Sequence, residues 1–201
     1  KAMLMIISTP IGNLGDITQR ATQMLKEADI IACEDTRQTR KLLSLLGIST
    51  SAELWAYHDY NGVKVRPKLI NALKLGRQVA LVSDAGTPLI SDPGYKLVAA
   101  CHENGLSVTA APGPTAPVMA LTLSGLPSDR FTFHGFLPQK EKAAREVLKE
   151  SQSLMMTQIW FETPKRLNKT LQLMSEIYGN RYCVIARELT KLHETLYRGT
   201  I

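Results

Sequence analysis

Leu81-Val82-Ser83-Asp84-Ala85-Gly86-Thr87-Pro88-Leu89-Ile90-Ser91-Asp92-Pro93-Gly94 is the stretch that decides how this chain folds. An apolar run, Gln78 to Val82, drives into a loop holding two aspartates, two glycines and two prolines. The run is short and β-branched enough to predict a buried strand. Glycine lets the backbone turn sharply and come close to a ligand, and proline stiffens the rest. Asp84 therefore stands where a strand ends, and in open α/β sheets ligands bind at the carboxyl ends of strands. A tight surface turn would use the same residue types, so this stretch alone leaves both readings open.

Working outward, the same form recurs. Met3 to Ile7 runs into Ser8-Thr9-Pro10-Ile11-Gly12-Asn13-Leu14-Gly15-Asp16, and Asp29 to Ala32 into Cys33-Glu34-Asp35-Thr36-Arg37. Leu106 to Ala111 empties into Pro112-Gly113-Pro114-Thr115-Ala116. Between these strands, Ile17–Ala28, Gln38–Leu46, Val65–Leu75 and Tyr95–Asn104 carry helical periodicity. Alternating strand and helix predicts a mostly parallel sheet covered by helices. Several such loops at one edge of one sheet make a pocket.

A change of pattern follows Pro112-Gly113-Pro114. Thr115 to Ser124 reads as a helix ended by Gly125, Arg130 to Phe136 as a half-buried strand and Glu141 to Ser151 as a helix. Gln158–Phe161 and Tyr182–Ala186 read as strands around a helix at Arg166–Ile177, and Thr195–Tyr197 begins another strand. The expected division is an N-terminal α/β domain at 1–116 and a C-terminal α/β domain at 117–201.

Composition narrows the class. With 44% hydrophobic and 21% charged residues the chain is globular rather than disordered. No apolar run approaches the ~20 residues of a membrane span. Lys1-Ala2-Met3-Leu4-Met5 is too short for a secretory signal and is expected to be a trimmed end. Cys33, Cys101 and Cys183 are scattered and unpaired in pattern, which fits a reducing cytoplasm. The net charge of +6 suits a polyanionic partner, although no aromatic RNA-binding motif or helix-turn-helix stands out. The four histidines show no ligand spacing with the cysteines, so no metal is expected. Neither Gly-x-x-x-x-Gly-Lys-Ser/Thr nor Gly-x-Gly-x-x-Gly occurs, which argues against a nucleotide triphosphate or dinucleotide.

Five motifs in order make a resemblance specific: Thr-Pro-Ile-Gly-Asn-Leu at 9–14, Glu-Asp-Thr-Arg at 34–37, Ser-Asp-Ala-Gly-Thr-Pro at 83–88, Ser-Asp-Pro-Gly at 91–94 and Ala-Arg-Glu-Leu-Thr-Lys at 186–191. From about Met5 to Gly199 the chain resembles the tetrapyrrole (corrin/porphyrin) methylase superfamily, the class III S-adenosylmethionine methyltransferases, and within it the bacterial branch that acts on ribosomal RNA. The resemblance implies two α/β domains, a mostly parallel N-terminal sheet on the substrate side, a mixed C-terminal sheet and a cofactor cleft between them. It implies S-adenosyl-L-methionine as cofactor and the ribose 2′-oxygen of a cytidine in the decoding region of small-subunit ribosomal RNA as acceptor. It also implies a cytoplasmic homodimer, and further strands beyond Arg198-Gly199, so the chain is expected to be truncated there. A tetrapyrrole or protein substrate, or a non-catalytic RNA-binding module, are the alternatives.

The same resemblance distributes the candidate residues. Pro10, Asp84, Ala85, Gly86, Ile90, Thr115, Ala116 and Glu162 fall where the superfamily holds its cofactor, with Ile11 and Gly12 beside them. Asp35 and Glu34 are candidates for accepting the ribose proton, with Glu162 and Glu188 behind them. Arg37, Lys165, Arg166, Arg187 and Lys191 are candidates for RNA phosphates. Lys165 stands where the family carries a histidine. Each has an ordinary alternative: turn capping for Asp84, an ion pair and helix cap for Glu34 to Arg37, solvated charge for the basic residues. His58 beside Asp59 is expected to be structural or solvent-facing. Asp16 to Thr18 is expected to cap the first helix, and Asp92 and Pro93 to begin the one after the loop.

Overall fold

The computed structural model describes residues 2–91 and 94–201. The chain divides into two compact units, Lys1–Thr115 and Ala116–Ile201. In the first unit, strands β1 (Met3–Ile7), β2 (Ile30–Cys33), β3 (Glu53–Ala56), β4 (Val79–Leu81) and β5 (Ser107–Ala111) alternate with helices α1 (Gln19–Glu27), α2 (Thr36–Leu45), α3 (Gly62–Lys74) and α4 (Tyr95–Glu103). The strands form one sheet in the order β3-β2-β4-β1-β5, and every pairing is parallel.

Side chains on a strand alternate between its faces, and here both faces are buried. Leu4, Ile6, Ile30, Ala32, Val79 and Leu81 pack with Leu69 and Leu73 of α3 and Leu97 and Cys101 of α4. Met5, Ile7, Ile31, Cys33, Ala80 and Val82 pack with Ala21 and Leu25 of α1 and Leu43 of α2. The sheet is thus a shared wall between two cores. Each fully buried Leu or Ile contributes about 1.5–3 kcal/mol relative to exposure.

Several boundaries differ from the sequence reading for local reasons. Helix α1 is capped by Thr18, whose side chain accepts the Ala21 N–H, while Asp16 closes a short 3-10 turn at Leu14–Asp16. Helix α2 begins at Thr36, two residues early, because Asp35 caps it by accepting the Arg37 N–H. Helix α3 begins at Gly62 because the His58–Asn61 turn feeds straight into it. Strand β3 was not expected. It is an edge strand of four residues with one side in solvent, so Glu53-Leu54-Trp55-Ala56 lacks the continuous apolar signature of its neighbours. The expected cap at Asp92 and Pro93 lies outside the described residues.

The second unit opens with α5 (Ala116–Ser124), then β6 (Phe131–Phe136), α6 (Glu141–Ser151), β7 (Thr157–Phe161), α7 (Leu167–Tyr178), β8 (Tyr182–Arg187) and β9 (Thr195–Thr200). Both strand senses occur, divided between a parallel pair β6-β7 and an antiparallel hairpin β8-β9. Leu148 of α6, Leu173 and Met174 of α7, and Leu137 form its core. Among the described residues no helix is long and apolar enough to cross a membrane.

Candidate functional site

All five strands of the first unit run the same way, so their carboxyl ends and following loops gather at one edge. The β1 and β4 loops are tied by a two-way backbone bridge: the Thr9 N–H donates to the Gly86 carbonyl at 3.1 Å and the Gly86 N–H to the Thr9 carbonyl at 3.0 Å. The β5 loop joins through side chains. Thr87 Oγ1 donates to the Pro114 carbonyl at 2.8 Å and lies 2.8 Å from Ser8 Oγ. Ser83 Oγ donates to the Ala85 carbonyl at 3.0 Å and holds the start of the β4 loop.

Two glycines permit this lacing. Gly86 has φ +81°, and a Cβ there would meet Ile11 Cγ2 at 3.1 Å. A Cβ on Gly113 would sit 2.9 Å from Ser8 Cβ. Leu89 (φ 76°) and Ser91 (φ 69°) hold the left-handed conformation without glycine's freedom. Such residues cost about 1–3 kcal/mol each and gather at ligand sites. Thr9 is fully buried, and its Oγ1 has no hydrogen-bond partner among the described residues. An orphaned buried hydroxyl is rare, and here it sits on the residue that bridges two motif loops.

The carboxylates of this edge differ from one another. Asp35 accepts the Arg37 N–H at 3.0 Å and faces Arg37 Nε at 3.5 Å. That backbone hydrogen bond, with the Arg37 charge behind it, holds the Asp35 carboxyl below the usual carboxylate range. Asp84, at the end of the adjacent strand, moves the other way. Asp84 is exposed, and partial desolvation at the loop and then the Asp35 charge raise its proton affinity, while the Asp35 backbone N–H tempers the rise. Cys33 lies beneath them, its thiol pushed up chiefly by burial, which keeps it protonated and poorly nucleophilic. Asp35 and Asp84 come from distant motifs, and the β2-β4 pairing brings them together.

The other candidates of the first unit take varied positions. Pro10 is buried in the bridged loop, Ala85 is exposed beside Asp84, and Ile90 is 40% exposed. Thr115 is half-buried at the end of the unit. Glu34 is half-buried next to Asp35, and the Arg37 side chain is 86% exposed. His58 Nδ1 accepts the Tyr60 N–H at 3.2 Å, which makes it part of the turn before α3.

In the second unit the candidates take these positions. Ala116 is the first residue of α5. Both Glu162 oxygens are engaged within the unit, one by the Thr163 N–H at 2.8 Å and the other by the Thr170 hydroxyl. Arg166 donates to the Pro138 carbonyl at 3.1 Å and to the Leu137 carbonyl at 3.5 Å. Lys191 pairs with Glu188 at 2.9 Å. Lys165 and Arg187 are exposed and make no ion pair among the described residues. Arg166 thus staples the segment after β6 to the start of α7. Arg166→Ala is expected to lose about 2 kcal/mol, since two carbonyls lose a charged donor, and to lower the thermal midpoint by about 4–8 °C. The salt dependence of RNA binding should stay the same. A stable variant with a flattened salt slope would return Arg166 to the RNA path.

Comparison with known proteins agrees with this architecture. Residues 3–201 match the family described as Tetrapyrrole (Corrin/Porphyrin) Methylases. A Ribosomal RNA small subunit methyltransferase I of Halalkalibacterium halodurans is 50% identical over 201 residues, covering 100% of this chain and 69% of that protein. Its namesake in Escherichia coli O157:H7 is 49% identical over 202 residues, 100% of this chain and 70% of that one. Among solved structures, a diphthine synthase superposes with a TM-score of 0.76 at 14% identity, over 99% of this chain and 82% of that chain. A uroporphyrin-III-C-methyltransferase from Thermus thermophilus does so with a TM-score of 0.62 at 17% identity, over 100% of this chain and 86% of that chain. These two show a shared fold. Five motifs, a five-stranded parallel sheet with laced loops at one edge, and half-identity over the whole chain converge: the chain belongs to the tetrapyrrole (corrin/porphyrin) methylase family, on the branch of the proteins called ribosomal RNA small subunit methyltransferase I.

Proposed function

We propose that this chain transfers a methyl group from S-adenosylmethionine to small-subunit ribosomal RNA, at the ribose 2′-oxygen of a cytidine in the decoding region. The observation that carries the reading is the half-identity over the full chain to relatives of that name. The residues at the sheet edge fit the cofactor. It brings an amino group, ribose hydroxyls and an adenine, and this edge offers the orphaned Thr9 hydroxyl, two carboxylates and a Gly/Pro backbone. Thr9, Pro10, Ala85, Gly86, Ile90, Thr115 and Ala116 would hold it. Glu162, with both oxygens engaged, is the weakest member of the set.

When bound, S-adenosylmethionine supplies a sulfonium methyl that is already a strong electrophile. The chain must then align an oxygen with that methyl and take the oxygen's proton. Alignment is worth up to ~7–11 kcal/mol in well-oriented reactions. The proton acceptor works best when its proton affinity approaches the working pH. Of the two carboxylates that meet here, Asp84 has the raised affinity and Asp35 the lowered one. Asp84 therefore accepts the proton in this scheme. Asp35 caps α2 and keeps a fixed negative charge nearby.

Transfer of tritiated methyl from S-adenosylmethionine to small ribosomal subunits from cells lacking the modification tests the reading. Ribose-methyl mapping should place the label on one cytidine. Label on the base, on ribosomal protein, or nowhere would overturn the assignment. We further propose the cytoplasm as its place of action and a homodimer as its state.

A further inference from the structure

One helix carries an unbalanced charge that its own stability does not explain. From Tyr60 to Ser83 the chain has five cations and no carboxylate. Arg77 is matched by Glu53 at 3.6 Å. The other four, Lys64, Arg66, Lys68 and Lys74, all lie on α3 and form no ion pair among the described residues. Lys64 falls in the first turn, where the helix dipole disfavours a cation, and no acidic residue offsets it there. Lys64 and Lys68 are four residues apart, a spacing at which like charges repel. Helix α6 shows the ordinary alternative: its Lys and Arg residues are interleaved with Glu141, Glu146 and Glu150, and Arg145 pairs with Glu141 at 3.1 Å.

The α3 cations are presented outward. Lys64, Lys68 and Lys74 are exposed. Arg66 is fixed, its Nε donating at 3.1 Å to the hydroxyl of the buried Tyr57. An open groove of ≈ 430 Å³ is lined by Arg66, Pro67, Ile70, Asn71, Lys74, Ala100 and Asn104. Its polar lining holds cations and amides and no carboxylate. The neighbouring α4 adds Lys96 and one acid, Glu103, in its last turn. Lys64 to Lys74 span about 15 Å of helix axis at 1.5 Å per residue. The helix starts just after β3, at the edge where the motif loops gather.

We propose that the exposed face of α3, with Lys64, Arg66, Lys68 and Lys74, binds the phosphate backbone of the RNA substrate. This rests on the reading of the chain as an RNA methylase and adds a surface that the motifs do not reveal. Two of the cations expected for that role, Arg166 and Lys191, are engaged within the second unit, so the first unit supplies phosphate contacts of its own.

The test uses the full chain and a transcript of small-subunit ribosomal RNA, with binding followed over a range of salt. Lys64→Gln, Lys68→Gln and Lys74→Gln together should weaken binding at least tenfold at low salt. The slope of log affinity against log salt should fall by about two, near 0.7–0.9 for each lost phosphate contact. S-adenosylmethionine affinity and the thermal midpoint should hold, because the three side chains are exposed. Lys140→Gln, Lys142→Gln and Lys149→Gln together remove the same charge around α6 and should leave the slope nearly unchanged. An unchanged slope in the α3 variant overturns the proposal, and so does an equal drop in the α6 variant, which would reduce the effect to net charge. If the unaltered chain binds S-adenosylmethionine but no RNA, the substrate reading falls together with this surface. If it binds RNA with a slope indifferent to α3, this surface alone falls.

Discussion

Asp84→Asn is expected to lower methyl transfer by ~10²-fold or more in a folded protein. The amide keeps the shape of the carboxylate and cannot accept the proton. Stability should move the opposite way from activity. Partial desolvation and the Asp35 charge shift Asp84 toward its neutral form in the folded state. A carboxyl whose folded pKa is raised contributes stability that is complete below its unfolded pKa and is lost as pH rises through the folded value. At neutral pH the wild-type protein has lost that contribution, and asparagine never ionises. The variant should therefore match or exceed the wild-type thermal midpoint at pH 7 and lose that advantage in acid. Single-turnover rates with saturating cofactor, alongside calorimetric binding of S-adenosylmethionine, separate the possible roles. A cofactor dissociation constant raised tenfold with a normal saturated rate would assign Asp84 to cofactor binding instead. Asp35→Asn is the companion: Asn caps helices as well as Asp does, so a small rate effect is expected if Asp84 is the acceptor.

Gly86→Val should be the most damaging single change at the sheet edge. Valine at φ +81° occupies a conformation that β-branched residues avoid, and its Cβ would stand 3.1 Å from Ile11 Cγ2. Backbone strain and overpacking each cost roughly 1–3 kcal/mol, so a loss of about 3 kcal/mol is expected. The backbone bridge to Thr9 must also yield, so cofactor affinity should drop more than tenfold. Urea unfolding and calorimetry measure the two effects. A variant near wild-type stability with normal cofactor binding would show that the β1 and β4 loops do not need their present union. Gly86→Ala should give the same pattern at smaller amplitude.

The residues that punctuate strand ends made most of the first unit legible. Gly86, Pro88, Gly113 and Pro114 mark where apolar runs stop, and the runs are buried on both faces, so their signal is continuous. Strand β3 leaves a weaker mark because it is an edge strand with one side open to solvent. A helix followed directly by another helix, between Leu46 and Gly62, was the available hint, since a parallel sheet needs a strand there. The roles of single side chains were less legible. Asp35 and Asp84 are 49 positions apart in the chain and meet only because β2 pairs with β4. Lys165 and Arg166 are adjacent and chemically alike, yet one is exposed and the other donates to two carbonyls of a distant segment. Charge in a sequence is a count, and its employment is decided by tertiary neighbours. The α3 face stands in the sequence as a run without carboxylates, and the absence of ion pairs among the described residues gives the run its meaning.

The position of the first strand has a consequence for how the protein is made. Strand β1 leaves the ribosome well before its partners: Leu4 pairs with Val79, and Ile7 with Ala111. At ~5–20 residues per second, synthesis of the intervening hundred-odd residues takes roughly 5–20 s. Until β4 emerges Met3–Ile7 is an apolar segment with unpaired backbone on both sides, and until β5 emerges it is open on one. Strands β2 and β3, close in sequence, can pair earlier but cover only one edge. The nascent chain therefore depends on shielding until β5 emerges, and then closes the sheet around strand β1.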